Sequence, residues 1–517
     1  MTVPLAVHPS ERTIDLRILA IDLGTTNAKA GIFDRTRLVA SASGPIRTAF
    51  PGPGRAEQDP DAWLMTIATT VRDACERTGA DAVDAIALTA QSDSLVVVGA
   101  DGSAIGPSLL WMDDRGTSEA ERFERDLGRP TIHQRTGLRS AANYTGPKAA
   151  WVKAAEADRF AQARWLMQPK DYLHLRLTGV AATDPSSASR TLLYDLDAGA
   201  WWPQGVAALG LSEAMLPPVV SSASTVGGLT PEAARLLGLT AGIPVVVGAA
   251  DRAAEALGLG IGGEECMIST GTATGVALAV PLGERSGDDR ITSPAHAVAG
   301  EALALLSIPT SGAILDWLAG ITRSRGRDPI RSLTDLAATS EPGARGVSVV
   351  PTFHGARSFR WRSGARGAIV GLDLGASLAD LARAVMEGIA FEVAACIEQL
   401  ARSGTSVVRS RLTGGGFAGP FAAQLMADVT GRPAHRSSER DAALAGAMLL
   451  AGQALGGWDD PRAQAVARLG ASQIFEPRPE AQAAYAVAAA RYMDAVDAVL
   501  GLAERHASED PALRQPR

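Results

Sequence analysis

The chain has 517 residues and a formal charge of −7, with 46% hydrophobic and 20% charged side chains. That length argues for two or more domains, and the composition is ordinary for a globular protein. The acidic balance leaves no basic footprint for nucleic acid, and no run approaches the ~18 apolar residues of a membrane helix. The three cysteines, Cys75, Cys266 and Cys396, are widely spaced and match no metal or redox pattern. They read as buried thiols in a reducing compartment. The first residues lack a secretory pattern, so a cytoplasmic protein with a small-molecule partner is expected.

Along the chain, residues 1–16 are polar and read as a flexible tail, as do 503–517. Short apolar runs predict strands at Ile18–Ile21, Ala85–Leu88, Leu95–Val98, Val245–Val247, Met267–Ser269 and Ser348–Val350. Amphipathic stretches predict helices at Trp63–Thr78, Leu378–Leu400, Phe421–Thr430 and Asp441–Ala454. This alternation points to α/β layers. An internal echo stands out. Residues 18–34, ILAIDLGTTNAKAGIFD, and 266–280, CMISTGTATGVALAV, each read as strand, Gly-Thr turn, strand. Turns this short make β-hairpins. Two of them half a chain apart predict two similar domains facing one another, with a boundary near Asp251–Gly263.

In the first hairpin, Gly24 can take backbone angles that other residues avoid. Thr25 and Thr26 offer hydroxyls and N–H groups to phosphate oxygens, Lys29 offers a cation, and Asp22 can hold Mg²⁺ directly or through water. A plain capped hairpin would look the same. The second hairpin, Thr270-Gly271-Thr272, tips the balance toward phosphate. A P-loop is excluded, because its spacing is absent and a strand follows. Asp251, in VVVGAADRAAEALG, closes a strand and opens a helix. It reads equally as a helix cap or as a carboxylate base for an attacking hydroxyl. The turn TGGGFAGPF (413–421) is either a packing turn or a backbone platform for a nucleotide base.

Taken together, these segments resemble the FGGY carbohydrate kinases. IDLGTTNAKAGIFD is similar to that family's first phosphate motif and STGTATGV to the second. PKDYLHLRLTGVAATDPSSASRTLLYDL (169–196), GAIVGLDLGASLADLARAVME (367–387) and the Gly-rich turn extend the resemblance from about Ile18 to Gly456. It implies an α/β fold of two actin-like, ribonuclease-H-type domains flanking a catalytic cleft, spanning 17–256 and 257–502. It implies ATP and Mg²⁺, with Asp251 as the base and Asp22 organising the metal. Thr25, Thr26, Asn27, Lys29, Gly271 and Thr272 would meet the phosphates. Gly312, Gly415, Gly416 and Pro420 would line the adenosine site. Gln91, Ser92, Asp93, Asn143, Asp251 and Arg252 would surround a small sugar or polyol such as xylulose or erythritol. A homodimer is left open.

The chain departs from the family on the sugar side. Ser92-Asp93 stands where xylulose kinases carry Met-His and glycerol kinases Arg-Glu. Arg252 follows the expected base where Asn or Gln is common, and Asn143 stands where an aromatic is common. Asp93 and Arg252 are expected to pair, either with each other or with substrate hydroxyls, because a lone buried charge is costly. A sugar acid on Arg252 is the weaker alternative. Trp111 reads as core, and the Arg-rich 354–367 as a loop without a catalytic part. Two other classes compete with the kinase: an actin-like ATPase that grips a partner, and a degenerate kinase acting as a sugar sensor. Retention of Asp22, Lys29 and Asp251 argues against the sensor.

Overall fold

The structure is a computed structural model that describes residues 15–509, apart from 80–82, 323–327, 357, 363, 416–418, 438 and 471. Two six-stranded sheets organise it. The first contains β1 (Arg17–Leu23), β2 (Asn27–Asp34), β3 (Arg37–Pro45), β4 (Ala85–Ala90), β5 (Thr225–Gly228) and β6 (Pro244–Ala250), in the order β5-β6-β4-β1-β2-β3. The second contains β7 (Glu265–Thr270), β8 (Thr274–Pro281), β9 (Glu301–Ile308), β10 (Arg409–Thr413), β11 (Ala434–Arg436) and β12 (Gln473–Phe475). Its order, β12-β11-β10-β7-β8-β9, repeats the first. The strand directions repeat too. β1–β2–β3 and β7–β8–β9 are antiparallel meanders, while β1–β4–β6 and β7–β10–β11 run parallel. The echo in the sequence is therefore a duplicated unit, and both Gly-Thr turns close true hairpins.

Strand β1 is buried along nearly its whole length, as expected where helices cover both faces. On one face lies α1 (Pro60–Thr78), which buries Trp63, Ile67, Val71 and Ala74 at helical spacing. Asp59 caps its start, Pro60 occupies the first turn, and Gly79 ends it with a left-handed φ of 60°. In the second half, α2 (Leu378–Arg402) opens with a Ser377–Asp380 capping box and runs through the core.

The expected C-terminal tail begins too early. A helix runs Pro479–Glu509, burying Tyr485, Tyr492, Val496 and Val499 against the second core. Leu500 and Ala503 still pack there, and Glu504 meets Arg362 at 2.7 Å. Apolar residues at helical spacing hold a stretch whose local composition looks loose.

The two halves meet through a pair of helices, α3 (Asp251–Gly258) and α4 (Ala442–Ala454). A Cβ on Gly258 would lie 1.9 Å from the Ala442 carbonyl oxygen, and one on Gly446 would lie 1.9 Å from that of Ala254. Only glycine permits this crossing. Apolar residues from both halves, among them Ile18, Ala249, Met267, Leu444 and Met448, close a common core around it. Gly446→Val is therefore expected to lower the melting temperature by about 5 °C or more, read by differential scanning calorimetry. An unchanged transition would mean that the helices do not depend on this contact.

Candidate active site

The cleft is built where the chain leaves each first strand. The β1–β2 turn closes with Gly24 N–H on the Asn27 carbonyl at 3.0 Å. Gly24 does not adopt a left-handed φ. A Cβ there would lie 3.1 Å from the Asn27 carbonyl oxygen, so tightness is what the glycine provides. Thr26 and Asn27 are exposed at the tip. Thr25 is not free in the same way. Its hydroxyl donates to Gln91 Oε1 at 3.0 Å and accepts from the Trp111 indole at 3.0 Å. Trp111, read as core, thus joins the site. Lys29 Nζ reaches across to Asp441 Oδ1 at 2.7 Å, tying the first hairpin to the foot of α4.

The second hairpin closes one residue tighter, with Gly271 N–H on the Ala273 carbonyl at 2.9 Å. Gly271 and Thr272 are exposed. The helix Gly312–Ile321 starts against this turn: Gly312 N–H donates to the Gly271 carbonyl at 3.0 Å, and a Cβ on Gly312 would sit 2.5 Å from that oxygen. Gly414 (φ 87°) comes closer still to Thr270, where a Cβ would sit 2.1 Å from the carbonyl oxygen. The first glycine of the Gly-rich turn is therefore a packing residue. Gly415 is open, Pro420 begins a helix at Pro420–Thr430, and Gly416 lies outside the described residues.

Two carboxylates, Asp22 and Asp251, lie within electrostatic reach of each other. Asp22 Oδ1 is buried without a hydrogen-bond partner among the described residues. Burial first, and the charge of Asp251 second, push the Asp22 carboxyl up to about 7. Burial likewise raises Asp251, against the opposing pull of Arg252. Asp251 is the first residue of α3 rather than its cap. One oxygen takes the Arg252 N–H at 2.8 Å, and no described residue makes another hydrogen bond to its side chain. No group of three or more His, Cys, Asp or Glu residues among the described residues is arranged as a metal cage. An orphaned carboxylate oxygen at the end of the strand that leads into the Gly-Thr turn does fit Mg²⁺, which keeps waters and uses one or two carboxylates plus substrate phosphates.

On the sugar side, of the two expected arrangements, pairing with each other or with substrate hydroxyls, the direct Asp93–Arg252 pair is not made. Asp93 instead forms a two-pronged bond with Arg190, Nε to Oδ1 at 2.7 Å and Nη2 to Oδ2 at 2.5 Å. Asn143 adds a bond to Oδ2 at 3.2 Å. Arg252 turns to Glu255 at 2.9 Å and Ser269 at 2.6 Å. Ion pairs form with the nearest opposite charge in space, and that neighbour lies 97 residues away for Asp93 and three for Arg252. Gln91 is buried and spans Thr25 and Gln58 (Nε2 to Oε1, 2.9 Å). It holds the site together from behind. Ser92 is partly exposed.

A chain with these paired hairpins and these carboxylates matches a known group. Family models for the N-terminal and C-terminal domains of FGGY carbohydrate kinases match residues 17–258 and 266–455. The chain belongs to the FGGY family of carbohydrate kinases. The chain is 28% identical over 437 residues to the xylulose kinase of Staphylococcus xylosus, covering 84% of this chain and 90% of that protein. To the glycerol kinase of Methylibium petroleiphilum it is 33% identical over 480 residues, covering 86% and 93%. The solved xylulose kinase of Rhodospirillum rubrum superposes with a TM-score of 0.85 at 25% identity, over 94% of this chain and all of that one. The chain is thus a sugar kinase with two actin-like domains, and ATP is the phosphate donor expected of this family. No described helix is long and apolar enough to cross a membrane.

Proposed function

We propose that this FGGY kinase moves the γ-phosphoryl of Mg·ATP onto a hydroxyl of a neutral four- or five-carbon polyol or ketose. The observation that carries this reading is charge balance on the sugar side. Arg190 is matched by Asp93 and Arg252 by Glu255. Neither of these two guanidinium charges is left without a counter-charge that a sugar acid's carboxylate would supply. The relatives named for xylulose and glycerol act on neutral polyhydroxy compounds, which supports the same choice.

In this mechanism the free oxygen of Asp251 accepts the proton of the attacking hydroxyl. Its raised proton affinity suits that task, since a general base works best with a pKa near the working pH. Thr26, Asn27 and Thr272 hold phosphate oxygens from the two hairpin tips. Lys29, kept charged by Asp441 despite partial burial, adds a cation beside them. Asp22 holds the metal, which when bound neutralises charge on the phosphate oxygens. Most of the catalysis is then positioning and charge compensation, as phosphoryl transfer requires. Closure about the α3–α4 crossing excludes water that would waste ATP.

Coupled ADP release should be measured across glycerol, tetritols, pentitols, ketopentoses and aldonic acids. A neutral compound is expected to exceed every aldonate in kcat/KM by about tenfold or more. An aldonate in first place would overturn the charge argument. A flat panel with tight ATP binding would favour the sensor reading.

A further inference from the structure

Asp93 has every polar atom engaged within the protein. Its N–H donates to Gln168 Oε1 at 2.8 Å, and its carbonyl accepts from Lys148 Nζ at 2.9 Å. Both carboxylate oxygens are taken by Arg190, and the second also by Asn143. Asp93 is buried, and its φ of 67° is left-handed, a conformation that costs a non-glycine residue energy. A strained residue gripped at every polar atom is built to hold something else.

What it holds is Arg190. One edge of the guanidinium, Nε and Nη2, is spent on Asp93. The other edge, Nη1, makes no hydrogen bond with a described residue and is not among the buried unpartnered atoms. It is the edge left for a ligand, and the side chain retains 16% exposure. The guanidinium also stacks over Tyr144 at 5.3 Å, which fixes its plane. Asp251 is near enough for its charge to act on Arg190, and Arg190 near enough to act on Arg252. The segment that carries Arg190 also grips the strand leading to the base: Ser186 Oγ accepts the Ala250 N–H at 2.9 Å. One short stretch of chain thus sets the guanidinium and the base relative to each other.

We infer that Arg190 is a specificity-determining residue whose Nη1 edge donates to a substrate oxygen beside the reacting hydroxyl, and that Asp93 is its positioning residue. The inference rests on the kinase reading above. A guanidinium only donates, so the position selects a hydroxyl or a ketone oxygen. A compound lacking that oxygen leaves a buried donor unpaired. Lysine cannot reproduce a fork that spends one edge on Asp93 and presents the other.

The test uses wild type, Arg190→Met, Arg190→Lys and Asp93→Asn. ADP release is measured with D-xylulose, xylitol and erythritol, and the KM for ATP is measured alongside. With whichever of the three wild type turns over best, Arg190→Met should raise the sugar KM by roughly a hundredfold. The KM for ATP should stay within about twofold. Arg190→Lys should recover only part of the loss, and Asp93→Asn should cost about tenfold, because a loosened Arg190 remains. The reverse ranking, with Asp93→Asn far worse than Arg190→Met, would make Asp93 the ligand and overturn the inference. Equal losses in sugar and ATP KM would reduce Arg190 to a structural residue. If wild type binds ATP but turns over none of the three, the kinase reading for these substrates fails and the inference falls with it.

Discussion

Asp251→Asn is expected to lower kcat by about a thousandfold or more, while the affinity for Mg·ATP stays within about twofold. Asparagine keeps the shape of the side chain and can still accept the Arg252 N–H that Asp251 accepts at 2.8 Å. It cannot take a proton. A loss confined to kcat therefore isolates the proton transfer from the positioning of α3. The pH profile adds a second check. Burial raises the Asp251 carboxyl above the usual range, and the base works only when ionised. The wild-type rate should accordingly fall as pH drops through that raised value, at a higher pH than an ordinary carboxylate would give. The residual rate of the variant should lack that limb. Calorimetric titration with Mg·ADP and stopped-assay ADP release would settle both points. Near-normal turnover in the variant would remove Asp251 from the role of base.

Much of this was legible in the sequence, and for a physical reason. A strand buried on both faces leaves a continuous apolar run, and a tight hairpin leaves a Gly-Thr signature, so β1–β2 and β7–β8 announced themselves and their duplication. The helices Pro60–Thr78 and Leu378–Arg402 carried caps and helical spacing. Partnerships across space were not legible. Nothing local says that Asp93 will meet Arg190 rather than Arg252, or that Thr25 will turn its hydroxyl to Trp111. The one available signal for Arg190 was its place in TDPSSASRT, a run of small polar residues that invites local hydrogen bonds. There Asp184 bonds Ser186 and Ser222, and Lys170 is buried against it. Gly258 and Gly446 were equally silent, because a close helix crossing depends on both helices at once. The interdomain bond of Lys29 to Asp441 spans 412 residues, and only the assembled cleft reveals it.

Asp22→Asn should produce two opposite effects in one protein. Without metal, at pH 8, the variant is expected to melt higher than wild type; with Mg·ATP, its turnover should fall by about a hundredfold or more. The first effect follows from an ionised carboxylate with a buried, unpartnered oxygen beside a second carboxylate. Its pKa is raised on folding, to about 7. Between the ordinary carboxylate value and that raised one, the folded state binds more protons than the unfolded state, so this group's contribution to stability is present at low pH and is lost as pH rises toward and through about 7. Asparagine does not ionise and escapes the loss, so the advantage of the variant should shrink at pH 5. The second effect follows from the same geometry, since the repulsion that destabilises the metal-free cleft is what a bound cation relieves. Thermal shifts with EDTA, Mg²⁺ and Mg·ADP at both pH values separate the two without any reference to turnover. Wild type should gain stability from Mg·ADP more steeply at pH 8 than at pH 5, and the variant should show little of that pH dependence. If the variant instead melted lower at pH 8 and kept the full magnesium-dependent shift, Asp22 would be a structural carboxylate and the metal would have to be held elsewhere in the cleft.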